Sequence, residues 1–112
     1  MGKEISGKEI YELHAEVCKT LSNPKRLEIL NLLRHKEMTV SELAPLMGIR
    51  KANLSQHLAV MRERRIVTTR REGVNIYYSI ANPKVLQACD IMREVLFEQL
   101  AEAQEMLQRY KK

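Results

Sequence analysis

The 112-residue chain is bounded first by what it lacks. No run approaches the roughly 18 apolar residues that a membrane-spanning helix needs, so a membrane is not expected among its partners. The opening stretch "MGKEISGKEI" has no apolar core and is not a secretory signal, which points to the cytoplasm. It does match the loose N-myristoylation pattern, although Ser6 is better used as a helix cap. No glycine-rich phosphate loop, internal repeat or low-complexity segment is present. Cysteine occurs only at Cys18 and Cys89, and no histidine follows His57. His57 has no Cys, Asp or Glu at triad or metal spacing except Glu63, which falls on another helix face, so an enzyme is not expected. Acid is scarce in one place: between Arg50 and Arg71 the single carboxylate, Glu63, faces seven lysines and arginines.

What is present is a basic block inside one domain-sized chain. A net charge of +5 concentrated in that block points to a polyanion, most often nucleic acid, with a solvated charged face as the alternative. Ser6 and Glu9 form a capping box, and Ile10, Leu13, Val17 and Leu21 follow at helical spacing, predicting a helix over 7–21. Asn23-Pro24 opens a second helix over 24–35, apolar on most sides and therefore central. A second capping box, Thr39 with Glu42, starts a short helix carrying Leu43, Leu46 and Met47, which Gly48 ends. After a tight turn, residues 51–65 form a fourth helix whose buried stripe is Leu54, Leu58 and Met61.

The apolar period then changes from 3.6 to 2. Ile66–Arg71 and Asn75–Ile80 read as two strands around Glu72-Gly73. Asn82-Pro83 caps a long last helix over 83–110. Along it Cys89, Leu96, Ala103 and Tyr110 recur every seven residues, joined by Met92, Leu100 and Leu107. Such a seam favours pairing with a second chain over packing on the first helix, because a core this small gains much from a partner.

The predicted fold is mainly α with one β-hairpin, α1-α2-α3-α4-β1-β2-α5, as a single domain over 1–112. Its third and fourth helices make a helix-turn-helix and its hairpin, 66–80, a wing. With Leu54, Leu58 and Met61 inward, Lys51, Ser55 and Arg62 lie opposite, flanked by Asn53, Gln56 and His57. A helix fits the major groove, where Gln56 could pair with adenine and Lys51 with guanine. Arg64 and Arg65 after the helix, and Arg70, Arg71 and Asn75 around the wing tip, would meet phosphates or the minor groove. A winged helix used as a protein-interaction module is the alternative, separated from this reading by salt-insensitive binding.

Over about residues 10–108 the chain resembles the ArsR/SmtB winged-helix repressors. The resemblance is carried by "LSNPKRLEILNLL", "MTVSELAPLMGI", "NLSQHLAVMRERRIV" and "TRREGVNIYYSI". It implies a homodimer, joined through the helices over 7–21 and 83–110, that binds an inverted-repeat operator in double-stranded DNA. It also implies that Lys51, Asn53, Ser55, Gln56 and His57 face that DNA. Many members release DNA when a metal ion or thiol-reactive species binds. One departure is Arg50, where members often carry a capping serine; a cap is lost and a phosphate-seeking charge gained.

The resemblance also shows which sensing sites are missing. The family's Cys-x-Cys metal site matches Thr39 and Ser41, and its zinc ligands on the last helix match Asn82 and Lys84. The first cysteine of a sulfide- and oxidant-sensing subset matches Asn31. Cys18 and Cys89 remain, on the two helices of the family's dimer layer. They suit a thiol switch or, equally, structural roles as small apolar residues with no metal or redox response. No cofactor is required. A smaller alternative joins His14, Cys18, Cys89 and Asp90 as ligands for zinc, arsenite or another thiophilic ion.

Overall fold

The computed structural model describes residues 4–111, so the myristoylation pattern around Gly2 lies outside the described residues. The element order is α1 (Gly7–Leu21), α2 (Pro24–Leu32), α3 (Val40–Met47), α4 (Lys51–Glu63), β1 (Val67–Glu72), β2 (Asn75–Ile80) and α5 (Pro83–Tyr110). Two compact units result: the first ends at Ala81 and holds α1 to β2, and the second, from Asn82, is α5.

Local chemistry sets each boundary. The Ser6 side chain accepts from the Glu9 N–H at the start of α1, and Asn23 accepts from the N–H groups of Lys25 and Arg26 at the start of α2. At α3 both arms of the Thr39–Glu42 capping box close. Gly48, with φ +64°, ends α3 in the left-handed conformation that costs glycine little. Arg50 caps α4 without a side-chain bond, as its departure from serine implies. Asn82 caps α5 by accepting from the Lys84 N–H.

Three boundaries differ from the sequence reading. Helix α2 stops at Leu32 rather than residue 35, because the chain tightens there: Arg34 N–H bonds the Asn31 carbonyl and its guanidinium bonds the Asn31 side chain. Helix α4 ends at Glu63 rather than 65. Ile66 N–H reaches the Met61 carbonyl at 2.8 Å and Arg65 N–H the Arg62 carbonyl at 3.0 Å, a Schellman closure with Arg65 at φ +59°. In the hairpin, Glu72 pairs with Asn75, so the two-residue turn is Gly73-Val74 and not Glu72-Gly73. A positive φ at Gly73 alone is the type II′ pattern, whose twist matches the strands.

The core of the first unit is Ile29 and Leu30 from α2 with Leu33 just after it, Leu43 and Met47 from α3, Leu54, Leu58 and Met61 from α4, with Met38, Ile66 and Val67. Helix α2 is central, as its all-round apolarity predicts. Leu46 is an exception: it is exposed, at the margin of the side of α3 that buries Leu43 and Met47. Met38 adds a contact invisible to periodicity. It exchanges two backbone hydrogen bonds with Tyr78, 3.0 and 2.8 Å, and so joins the segment before α3 to the wing. Helix α5 has no buried residue and exposes Met92, Leu96, Phe97, Leu100 and Leu107.

Candidate nucleic-acid interface

The site begins with the way α4 is seated. Leu54, Leu58 and Met61 are fully buried, so their side of the helix is fixed in the core. Residues 100° per step away must then point outward. Lys51, Asn53, Ser55, Gln56 and Arg62 are all exposed, and His57, one position before Leu58, is half-buried. Each of these sequence-predicted residues other than His57 is thus open to solvent. Arg50 is exposed at its N-terminal end and Arg64 and Arg65 at the other.

A groove of about 270 Å³ lies beside this face. It is lined by Thr39 and Ser41 at the start of α3, Ser55 of α4, and Val74, Asn75 and Tyr78 of the wing, among others. Helix-turn-helix and wing thus present a joint polar rim. Thr39 and Ser41 were not among the sequence-predicted site residues, because the wing approaches them only through tertiary folding.

The cations are not equivalent. Arg71 is exposed on β1, opposite Ile76. Arg70 is engaged: its Nε donates to Glu37 at 3.1 Å, its Nη1 to Glu72 at 2.9 Å, and its guanidinium lies 4.6 Å over the Tyr77 ring. These hydrogen bonds hold the Glu37 carboxyl below its ordinary range and raise the Arg70 guanidinium further. Arg64 pairs with Glu16 of α1 at 2.9 Å. Neither Glu37 nor Glu16 was foreseen, since each lies more than thirty residues from the arginine it meets.

His57 also has an unforeseen partner. Its Nδ1 accepts from the Nε of Arg26 at 3.2 Å. Burial, then the positive charges of Arg26 and Lys25, hold the imidazole below its ordinary pKa. A histidine bonded to a guanidinium rather than a carboxylate is poorly placed for general-base work. Both cysteines carry free thiols; Cys18 is exposed on α1, and Cys89 is half-buried on α5. Burial, assisted by Asp90 and opposed by Arg93, raises the Cys89 thiol, which disfavours the reactive thiolate. Among the described residues no group of three or more His, Cys, Asp or Glu side chains gathers at metal-ligand spacing within the chain. Nor is any described helix long and apolar enough to cross a membrane.

An anchored helix with a polar outer face, a tight turn before it and a basic hairpin after it define a winged helix-turn-helix DNA-binding protein. Residues 23–69 match the family described as bacterial regulatory protein, arsR family. The crystal structure of Rv0081 from Mycobacterium tuberculosis is 39% identical with a TM-score of 0.76, over 83% of this chain and 94% of that one. A homodimeric winged helix-turn-helix domain from Mycobacterium bovis, described as a possible ArsR-family regulator, is 31% identical with a TM-score of 0.77, over 89% and 93%. The transcriptional repressor PagR of Bacillus anthracis is 42% identical over 72 residues, 63% of this chain and 72% of PagR. The chain belongs to the ArsR/SmtB family of winged helix-turn-helix transcriptional regulators.

Proposed function

We propose that the protein is a homodimeric repressor that binds an inverted-repeat operator in duplex DNA. The observation that carries this reading is the exposure of Lys51, Asn53, Ser55 and Gln56 on a helix anchored by fully buried Leu54, Leu58 and Met61. Two such helices related by a two-fold axis would enter successive major grooves, centres about 34–36 Å apart. Two copies would join through the bare apolar side of α5, and Ile10, Leu13 and Val17 are exposed on α1 for the same purpose. A dimer with two reading helices gives a palindromic preference that a monomer cannot.

Derepression would act at that dimer layer, where both thiols reside. Oxidation or a thiophilic ion at Cys18 or Cys89 would repack α1 and α5 and change the spacing of the reading helices. It can weaken DNA binding only by its differential free energy between the two arrangements. Cys18 is the exposed thiol of the two and Cys89 the half-buried one, so in this reading a reagent reaches Cys18 first.

The test is selection of bound duplexes from a random library, followed by affinity titration against salt. A two-fold symmetric consensus and an affinity that falls steeply with salt are expected. Gln56→Ala should relax base preference at one position of each half-site; an unchanged consensus would show that α4 does not read the groove. Titration with oxidant, zinc or arsenite, on the native protein and on Cys18→Ser and Cys89→Ser, tests the switch, which fails if both variants respond normally.

A further inference from the structure

Behind the reading face, one arginine holds the recognition helix. Arg26 of α2 donates from Nε to His57 Nδ1 at 3.2 Å and from Nη1 to the Thr20 carbonyl at 3.1 Å. Thr20 is the one buried residue of α1, and it lies in that helix's last turn, where carbonyls lack intrahelical partners. A guanidinium is a rigid planar fork, so filling two of its donors on two elements fixes their relative position more tightly than a flexible ammonium would. The surroundings leave it this work. Arg26, Thr20, Glu16 and Arg64 border a notch of about 210 Å³ together with Lys19 and Val60, and the Arg64–Glu16 ion pair links α4 to α1 beside it.

The chemistry of the bond is directional. A guanidinium has donors and no acceptor, so Nδ1 of His57 must present its lone pair. The ring is then neutral with its proton on Nε2, and Nε2 becomes an N–H donor. The charged groups bearing on the ring are Arg26 and Lys25, both of α2 and both cationic, which oppose a second ring proton. His57 follows Ser55 and Gln56 on α4; those two are exposed, and the ring is half-buried at the edge of the core stripe.

We propose that Arg26 is a positioning residue for DNA recognition: it fixes His57 as the Nε2–H tautomer and anchors the ring, through the Thr20 carbonyl, so that a single donor is offered beside Gln56. This rests on α4 being the reading helix. The role differs from a packing role, because a packing residue would leave the tautomer free.

The ring itself gives the first readout. Long-range proton–nitrogen spectra of the full-length protein, labelled at histidine and free of DNA, should show His57 at neutral pH as one Nε2–H species; His57→Gln assigns the signal. Arg26→Gln should give a mixture of tautomers, and so should Arg26→Lys, which keeps the charge but loses the fork. An Nδ1–H pattern in the native protein would overturn the proposal without any variant, so poor folding of Arg26→Gln cannot shelter it. The second readout is anisotropy with a duplex selected from a random library by the native protein. Arg26→Gln and His57→Ala should each weaken binding by roughly tenfold, the loss of about one hydrogen bond to a charged group. The double variant should bind no worse than either; additive losses would refute the coupling. Failure of the DNA-binding reading is distinguishable, because the native protein would then select no duplex while its His57 spectrum stayed Nε2–H.

Discussion

At the scale of single residues, the basic block divides into engaged and available charges. Arg70 is bonded to Glu37 and Glu72, so a phosphate must displace carboxylates to reach it. Arg71, exposed beside it, faces no such competition from its cross-strand neighbour Ile76. Arg71→Ala should therefore lower the slope of log affinity against log salt by about 1, while Arg70→Ala should lower it less. Glu37→Gln should raise affinity for all duplexes alike; a fall would mean that the pair orders the wing for binding. His57 gives a pH prediction. Its folded-state pKa lies below the ordinary 6.5, so the unfolded chain binds the proton first. The stability linked to the neutral ring is complete above that value and is lost as pH falls from it through the lowered folded pKa. Denaturation midpoints should drop more steeply across that window for the native protein than for His57→Gln.

At the scale of elements, most of the design was legible in the sequence. Capping pairs and apolar periods placed α1, α4 and α5 to within two residues of their observed ends, and the inward stripe of α4 matched residue for residue. Those signals are local, acting over one or two helical turns. What escaped detection is non-local. Arg26 reaches His57 across thirty-one positions, Arg70 reaches Glu37 across thirty-three, and Met38 pairs with Tyr78 from outside any strand. No periodicity records such meetings. The end of α4 was missed for a different reason: Arg65 takes a left-handed conformation usually given to glycine, and its side chain gives no hint of it. Arg65→Gly should therefore raise unfolding free energy by about 1 kcal/mol while lowering affinity for DNA. Thermal denaturation and anisotropy on one preparation check both; lower stability would show that the arginine side chain contributes more to the fold than its backbone costs.

At the scale of the whole molecule, α5 dominates the expectation. A 28-residue helix with no buried position, and with Met92, Leu96, Leu100 and Leu107 exposed along one seam, buries little by itself. A chain of this size retains a modest stability margin unless a partner covers such a surface. Leu96→Lys together with Leu100→Lys should convert a dimer to a monomer in light-scattering measurements. The same pair should remove the concentration dependence of the melting temperature and abolish operator binding, although neither residue lies on α4. A variant that stayed dimeric would move the interface to α1.

The bond pair between Met38 and Tyr78 gives the reading apparatus a neck. Residues 39–77 leave and return at that point, and this stretch holds α3, α4, β1 and the wing turn. Closing so long a loop costs little more entropy than closing one half its length, about 0.6 kcal/mol per doubling. The two bonds close the neck beside the core packing of Leu43, Leu54, Leu58 and Met61 against α2, which holds the same stretch. Amide hydrogens at Met38 and Tyr78 should exchange together, slower than those of the wing tip and no slower than the core of α4. The loop would then open as one cooperative piece, with wing and reading helix losing their mutual alignment in the same event.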